Sequence, residues 1–159
     1  MPILLYRVDE RLIHGQVVVG WGTRLRPDCY LVVDSALAQT QWEQELYLLG
    51  VPEKADAAFV SVEAAREELP GWRGSPLRSI LLTPDILTML TLAKGGLLEG
   101  EEVNLGGIHH RKGREGVLPY LYLDEEDRRE LKELAGEGVN ITAQDLPGSP
   151  KVPLDSLLH

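Results

Sequence analysis

At 159 residues the chain is about one domain long, enough to bury roughly two-thirds of the surface its unfolded form exposes. A composition of 43% hydrophobic and 26% charged residues is that of a soluble globular protein and excludes disordered or fibrous architectures. The net charge of −9, from 16 basic and 25 acidic side chains, argues against a protein that coats nucleic acid or anionic lipid. No run reaches the roughly 20 apolar residues that cross a bilayer, and the stretch from Met1 to Val8 is too short for a signal peptide. A cytoplasmic location without membrane insertion is therefore expected. Cys29, the single cysteine, has no internal disulfide partner and lies in an apolar stretch, which predicts a buried, inert thiol.

In chain order, β-branched or leucine-rich runs predict strands at Ile3 to Val8, Cys29 to Val33, Ala57 to Val62, Ser79 to Leu82, Val103 to Leu105, Leu118 to Leu123 and Val139 to Ala143. Between them, helical spacing joins Trp42, Leu46 and Leu49, then Ile86, Leu90 and Ala93, then Leu131, Leu134 and Ala135. Each set predicts an apolar stripe packed on a sheet. Thr83-Pro84 reads as an N-cap with proline at the first helical position, and Asp124 to Asp127 as an acidic helix start of structural origin.

This alternation predicts an α/β fold: a doubly wound, mostly parallel sheet of about seven strands with helices on both faces. Between Leu105 and Leu118 the glycines at 106, 107, 113 and 116 favour a turning loop over a crossover helix, which allows one late strand to run antiparallel. No repeat or linker divides the chain, so residues 1–159 are read as a single domain. Pro147 to Pro153 is expected to run extended over the surface before a short turn at Leu154 to Leu158. The tryptophans Trp21, Trp42 and Trp72 either pack on the sheet or mark an interface, and self-association stays open.

Open α/β sheets bind ligands at the carboxyl ends of their strands. That rule selects four polar loops: Asp9 to Gln16, Asp34-Ser35, Thr83 to Asp85, and Gly106-Gly107 running on to His109, His110, Arg111 and Lys112. The first is the richest. His14, with Gly15 and Gln16 behind it, precedes a helical run at Val17, and Arg11 lies three residues earlier. A guanidinium and a helix N-terminus beside the imidazole would lower its pKa and keep a neutral, nucleophilic ring. The same groups would welcome a phosphoryl carried on that ring. On composition alone the commoner reading of such a histidine is a surface or capping residue. Gly15, Gly20 and Gly22 form no nucleotide-binding signature, and adjacent His109 and His110 lack a third ligand at metal spacing. No metal or cofactor is expected. His109 to Arg114 form a basic loop, either a solvated turn or a rim that attracts a phosphorylated or acidic partner.

The stretch Tyr6-Arg7-Val8-Asp9-Glu10-Arg11-Leu12-Ile13-His14-Gly15-Gln16-Val17-Val18 resembles the N-terminal signature of the IIB components of the mannose/fructose/sorbose family of the bacterial phosphoenolpyruvate-dependent sugar phosphotransferase system (PTS). Leu31 to Asp34, Ile80 to Pro84, Val103 to Gly107 and Val117 to Leu134 fall in that family's order, so the resemblance spans the chain, as a IIB unit without a fused IIA domain. It implies that His14 accepts a phosphoryl group on Nδ1 from a phosphorylated IIA protein and passes it to a sugar held by the membrane subunits IIC and IID. Arg11 would then stabilise the moving phosphoryl and Asp9 would orient the arginine or the loop. Gly15 and Gln16 complete the motif and would border the phosphate; from the loops themselves, not from the resemblance, Thr83 is expected to join them and His109, His110, Arg111 and Lys112 to meet the partner. The location implied is cytoplasmic, at the inner face of the membrane through the transporter subunits. The resemblance leaves a second role open, a phosphorylatable regulatory module without transport. The chain departs from the family pattern at Ser35-Ala36-Leu37 and at Ile108-His109-His110, where methionine is common after the two glycines.

Overall fold

A computed structural model describes residues 2–158. Nine strands form among the described residues: β1 (Ile3–Asp9), β2 (Cys29–Val33), β3 (Asp56–Val60), β4 (Ser79–Thr83), β5 (Glu102–Gly107), β6 (Glu115–Leu118), β7 (Leu121–Leu123), β8 (Asn140–Ala143) and β9 (Val152–Pro153). Seven of them make one sheet in the order β3-β2-β4-β1-β5-β8-β9, parallel except for β9, which runs antiparallel to β8. A late antiparallel strand is present, but it is the short β9, within the stretch expected to run extended, and not the strand after the glycine-rich junction. The run Leu118 to Leu123 is not a strand of this sheet. It breaks at Pro119-Tyr120, and its halves belong to the separate antiparallel hairpin β6-β7. Proline supplies no N–H to a ladder, so the chain turns there.

Alternate residues of the strands feed two cores. Tyr6, Val8, Leu31, Leu81, Val103, Leu105 and Ile141 pack beneath the helices α3 (Val62–Gly74), α4 (Ile86–Ala93) and α5 (Glu125–Gly136). Tyr30, Val32, Ile80 and Leu82 face the other way, toward Leu12, Ile13, Val17, Trp21 and Leu37. That second face is served by a π-helical turn at Gln16–Trp21 continuing into α1 (Gly22–Leu25), and by α2 (Gln41–Leu48). Over β5 and β8 the second face is polar, with Asn104 and Thr142 where the first carries Val103 and Ile141. Among the described residues no helix is long and apolar enough to cross a membrane.

Three expectations from the sequence are corrected by the structure. Val62 belongs to α3, because Ser61 accepts the Ala64 amide at 3.1 Å and caps that helix. The cap of α4 is Asp85, accepting from the Thr88 amide at 2.8 Å, so Pro84 lies outside the helix and Thr83 is not its cap. The third concerns α2, whose Trp42 and Leu46 are 64% and 58% exposed, with Leu49 just beyond its end 84% exposed. Helical spacing places these three on one face, and that face is open to solvent. The stripes of α4 and α5 are buried at Ile86, Leu90, Ala93, Leu131 and Leu134 as expected. Asp124 and Asp127 form a reciprocal capping box at the start of α5, which fits the structural reading of that acidic run.

Candidate active site

The loop after β1 is flanked by the ends of β4 and β5, since β1 pairs with both. Arg7 and Asp9 lie two residues apart on β1 and therefore point to the same face. Both are fully buried. Asp9 is saturated with donors. Its Oδ2 accepts from Arg7 Nε and Nη2 at 3.3 and 3.0 Å and from Arg11 Nη2 at 2.9 Å, while Oδ1 accepts from the Arg11 amide and Nε at 3.1 and 2.9 Å. Gln16 Oε1 accepts from both guanidinium groups, at 3.0 Å from Arg7 and 2.9 Å from Arg11. Two cations thus share one carboxylate and one amide oxygen, and the loop cannot shift without breaking both sets.

Arg7 has no further conformational freedom. Its Nη1 donates to Asn104 Oδ1 at 2.6 Å and to the Gln144 carbonyl at 3.1 Å, and Nη2 reaches the Asp145 carbonyl at 3.1 Å. Its guanidinium lies 5.4 Å from the Trp21 ring centroid. Space for both arginines is made by glycine. A Cβ on Gly106 would overlap the Arg7 guanidinium, and one on Gly107 would stand 2.8 Å from Arg11 Nη2. The two glycines expected to form a turn end β5 instead, and their lack of side chains is what admits the guanidinium groups.

His14 sits at the rim of this cluster. Leu12 takes a left-handed φ of 54°, costly for a side chain with a Cβ, and its carbonyl faces His14 Nδ1 at 2.8 Å. Nδ1 therefore carries a hydrogen and donates it. Nε2 is shut off from solvent without a hydrogen-bond partner, 3.7 Å from Asp9 Oδ2, and the side chain is 17% exposed. Burial lowers the His14 pKa, and the Arg11 and Arg7 charges add to this; the Leu12 carbonyl and the Asp9 carboxylate, which favour the cation, do not compensate. The direction matches the sequence expectation, but its main cause is burial. A ring titration by NMR is expected to give His14 a midpoint below the ordinary value of about 6.5. Because the unfolded ring then protonates first, acidification through that range also draws on folded stability. A midpoint at or above about 6.5 would contradict the stated cause.

The other expected residues divide into those joined to the cluster and those apart from it. Gly15 is exposed, with open space at its Cβ position, and the His14 carbonyl accepts the Val18 amide at 2.9 Å as the helical run begins. Thr83 is fully buried at the end of β4, and its hydroxyl donates to the Asp85 carbonyl at 3.1 Å; it shapes the β4-α4 turn and makes no hydrogen bond to the cluster. His109 is tied to the loop through Glu10, which accepts from the His109 amide at 3.2 Å and lies 3.2 Å from its Nδ1. Arg114 extends that tie, reaching Glu10 at 2.9 Å and Asp127 at 3.2 Å. His110 meets the Tyr122 ring edge-on at 5.5 Å, and Arg111 and Lys112 are exposed. Sequence reasoning missed Arg7, Asn104 and Glu10 as parts of the site. The available signal was a cation and an amide inside otherwise apolar strands, where an unpaired polar group is too costly to be incidental.

The profile of the PTS system sorbose subfamily IIB component matches residues 3–159. The chain belongs to this family. Among relatives of this IIB component, the N-acetylgalactosamine-specific phosphotransferase enzyme IIB component 1 of Escherichia coli K12 is 31% identical over 155 residues, covering 94% of each chain. The mannose-specific EIIAB component of the same strain is 27% identical over 158 residues, which span 99% of this chain and 49% of that protein. The IIBSor domain of the sorbose permease from Klebsiella pneumoniae superposes with a TM-score of 0.86 at 25% identity, covering 98% of this chain and 96% of that one. PTS IIB components are phosphotransferases, which places the chemistry of this IIB fold in phosphoryl transfer.

Proposed function

We propose that His14 accepts a phosphoryl group from a phosphorylated IIA protein and passes it to a sugar bound by IIC and IID subunits, and that the chain acts as one cytoplasmic domain held at the membrane by those subunits. The observation that carries the proposal is the partly exposed imidazole beside two guanidinium groups that are fixed on one carboxylate. Nδ1 is the nitrogen that the family resemblance implies as the acceptor, and Nε2 is closed to solvent. For Nδ1 to attack, its hydrogen must move to Nε2, which then faces the Asp9 carboxylate at 3.7 Å. The same tautomer removes the hydrogen bond to Leu12 and frees the ring to turn toward the donor. As the Nδ1–P bond forms, the donor's N–P bond breaks and its electron pair returns to the donor imidazole. Arg11, with 32% of its side chain exposed, meets the equatorial oxygens; Asp9 and Gln16 hold its fork, and Gly15 gives the incoming group room. Thr83 supports the neighbouring turn. His109, His110, Arg111 and Lys112 form the rim that the donor meets, and the mannose-specific EIIAB relative, with A and B parts on one chain, supports pairing with a IIA partner.

The test is to expose the pure protein to a phosphorylated IIA donor and follow a mass gain of one phosphoryl group, then its loss to sugar in the presence of IIC/IID membranes. No mass gain would refute the reading. Arg11→Ala is expected to slow uptake by roughly 100-fold, the usual cost of one lost charge-stabilising donor. Arg11→Lys should also be impaired, because a point charge cannot span Asp9, Gln16 and phosphate as a planar fork does. A wild-type rate in either variant would remove Arg11 from the mechanism.

A further inference from the structure

The face of α2 that carries Trp42 and Leu46 has no partner within the fold. Together with Glu43, Tyr47 and Gly50 these residues border a groove of about 590 Å³ whose remaining wall is Ile13, bonded directly to His14. Exposed tryptophan and leucine side the groove in a chain of net charge −9. Apolar concavities with exposed aromatic walls are where partners anchor. We infer that this groove is the docking seat of the phosphorylated donor protein, which inserts an apolar side chain between Ile13 and Trp42 as its phosphohistidine faces His14. The inference rests on His14 being the acceptor.

Topology and charge select this occupant. In the sheet order β2-β4-β1-β5, α2 follows β2 and the basic loop 108–114 follows β5, with the His14 loop between them. Three strand spacings separate the flanks, about 14 Å. A standard interface covers about 800 Å² on each partner, so one docked protein spans both flanks. In-line transfer requires the reacting atoms about 3–3.5 Å apart, which obliges the partner to cover the ground around His14. The two flanks then have different tasks. Exposed Arg111 and Lys112 attract a protein that arrives carrying a dianionic phosphoryl, which the donor brings and the sugar acceptor does not. The α2 flank has Glu43 and Glu45 and no lysine or arginine within the helix, so it is unsuited to an anionic bilayer surface and supplies short-range apolar contact.

The experiment is initial-rate phosphorylation by a purified phosphorylated IIA protein, comparing wild type with Trp42→Ala/Leu46→Ala and with Arg111→Glu/Lys112→Glu. Both altered pairs are exposed, so circular dichroism and thermal melting should match wild type. The groove pair is expected to raise KM for the donor about tenfold, with kcat within about twofold and no dependence on salt. Charge reversal should raise KM at low salt and lose its effect at high salt. An unchanged KM in the groove pair overturns the seat. If sugar-dependent discharge to IIC/IID membranes is impaired instead, the groove belongs to the acceptor; if a wild-type dimer dissociates, it belongs to a second copy. Absence of phosphoryl transfer to wild type would refute the His14 reading itself, whereas normal transfer to wild type with an insensitive groove pair refutes the seat alone.

Discussion

His14→Ala is expected to fold normally and to gain no phosphoryl mass from a phosphorylated IIA donor. The substitution removes one internal hydrogen bond, from Nδ1 to the Leu12 carbonyl, and a side chain that is already partly in water. A single bond of that kind contributes about 1 kcal/mol, so the melting temperature should fall by only a few degrees. Chemistry has no such reserve. No other imidazole meets Asp9, Arg11 and Arg7 among the described residues, because His109 is held by Glu10 and His110 lies against Tyr122. His109→Ala and His110→Ala should therefore still be phosphorylated. Intact-protein mass spectrometry under neutral conditions reads all three variants, and uptake by His14→Ala at the wild-type rate would end the assignment.

Arg7→Met is expected to lower folding stability by about 3–5 kcal/mol, the cost of breaking a buried charge network by removing one member. Methionine fits the stem but leaves Asn104 Oδ1 without its cation and strips the carbonyls of Gln144 and Asp145 of Arg7 hydrogen bonds, while Arg11 alone stays with Asp9. Gly106→Ala attacks the same network from below, since its methyl group would overlap the guanidinium. With Arg7 already gone that clash is relieved, so the double variant should cost clearly less than the sum of the singles. Urea unfolding of the three proteins measures this. A loss below about 1 kcal/mol in Arg7→Met, or strict additivity with Gly106→Ala, would show that the guanidinium is a passive occupant.

The motif from Asp9 to Gln16 was legible because a strand must end where its apolar alternation ends, and the polar loop that follows lands on the ligand-binding edge of a parallel sheet. The cap of α4 shifts from Thr83 for a local reason: in Thr83-Pro84-Asp85 two residues can cap a helix, and hydrogen-bond geometry selects Asp85. Arg7 was visible as a cation within Ile3–Asp9 but not as the centre of the site, because its partners Asn104, Gln144 and Asp145 lie about a hundred or more positions away in the chain.

The sequence by itself determined the periodicities, and with them the parallel strands, the buried stripes of α4 and α5, and the histidine loop. Tertiary structure alone decided which stripes find cover. Spacing places Trp42, Leu46 and Leu49 on one side of α2, but only the packing of that helix in the folded chain leaves the side open to solvent, with Trp42 and Leu46 beside Ile13. It also decided that Gly106 and Gly107 admit two arginines rather than turn a loop. The physical reason is common to both cases: local pattern fixes which side chains share a face, whereas what that face meets depends on elements distant in sequence.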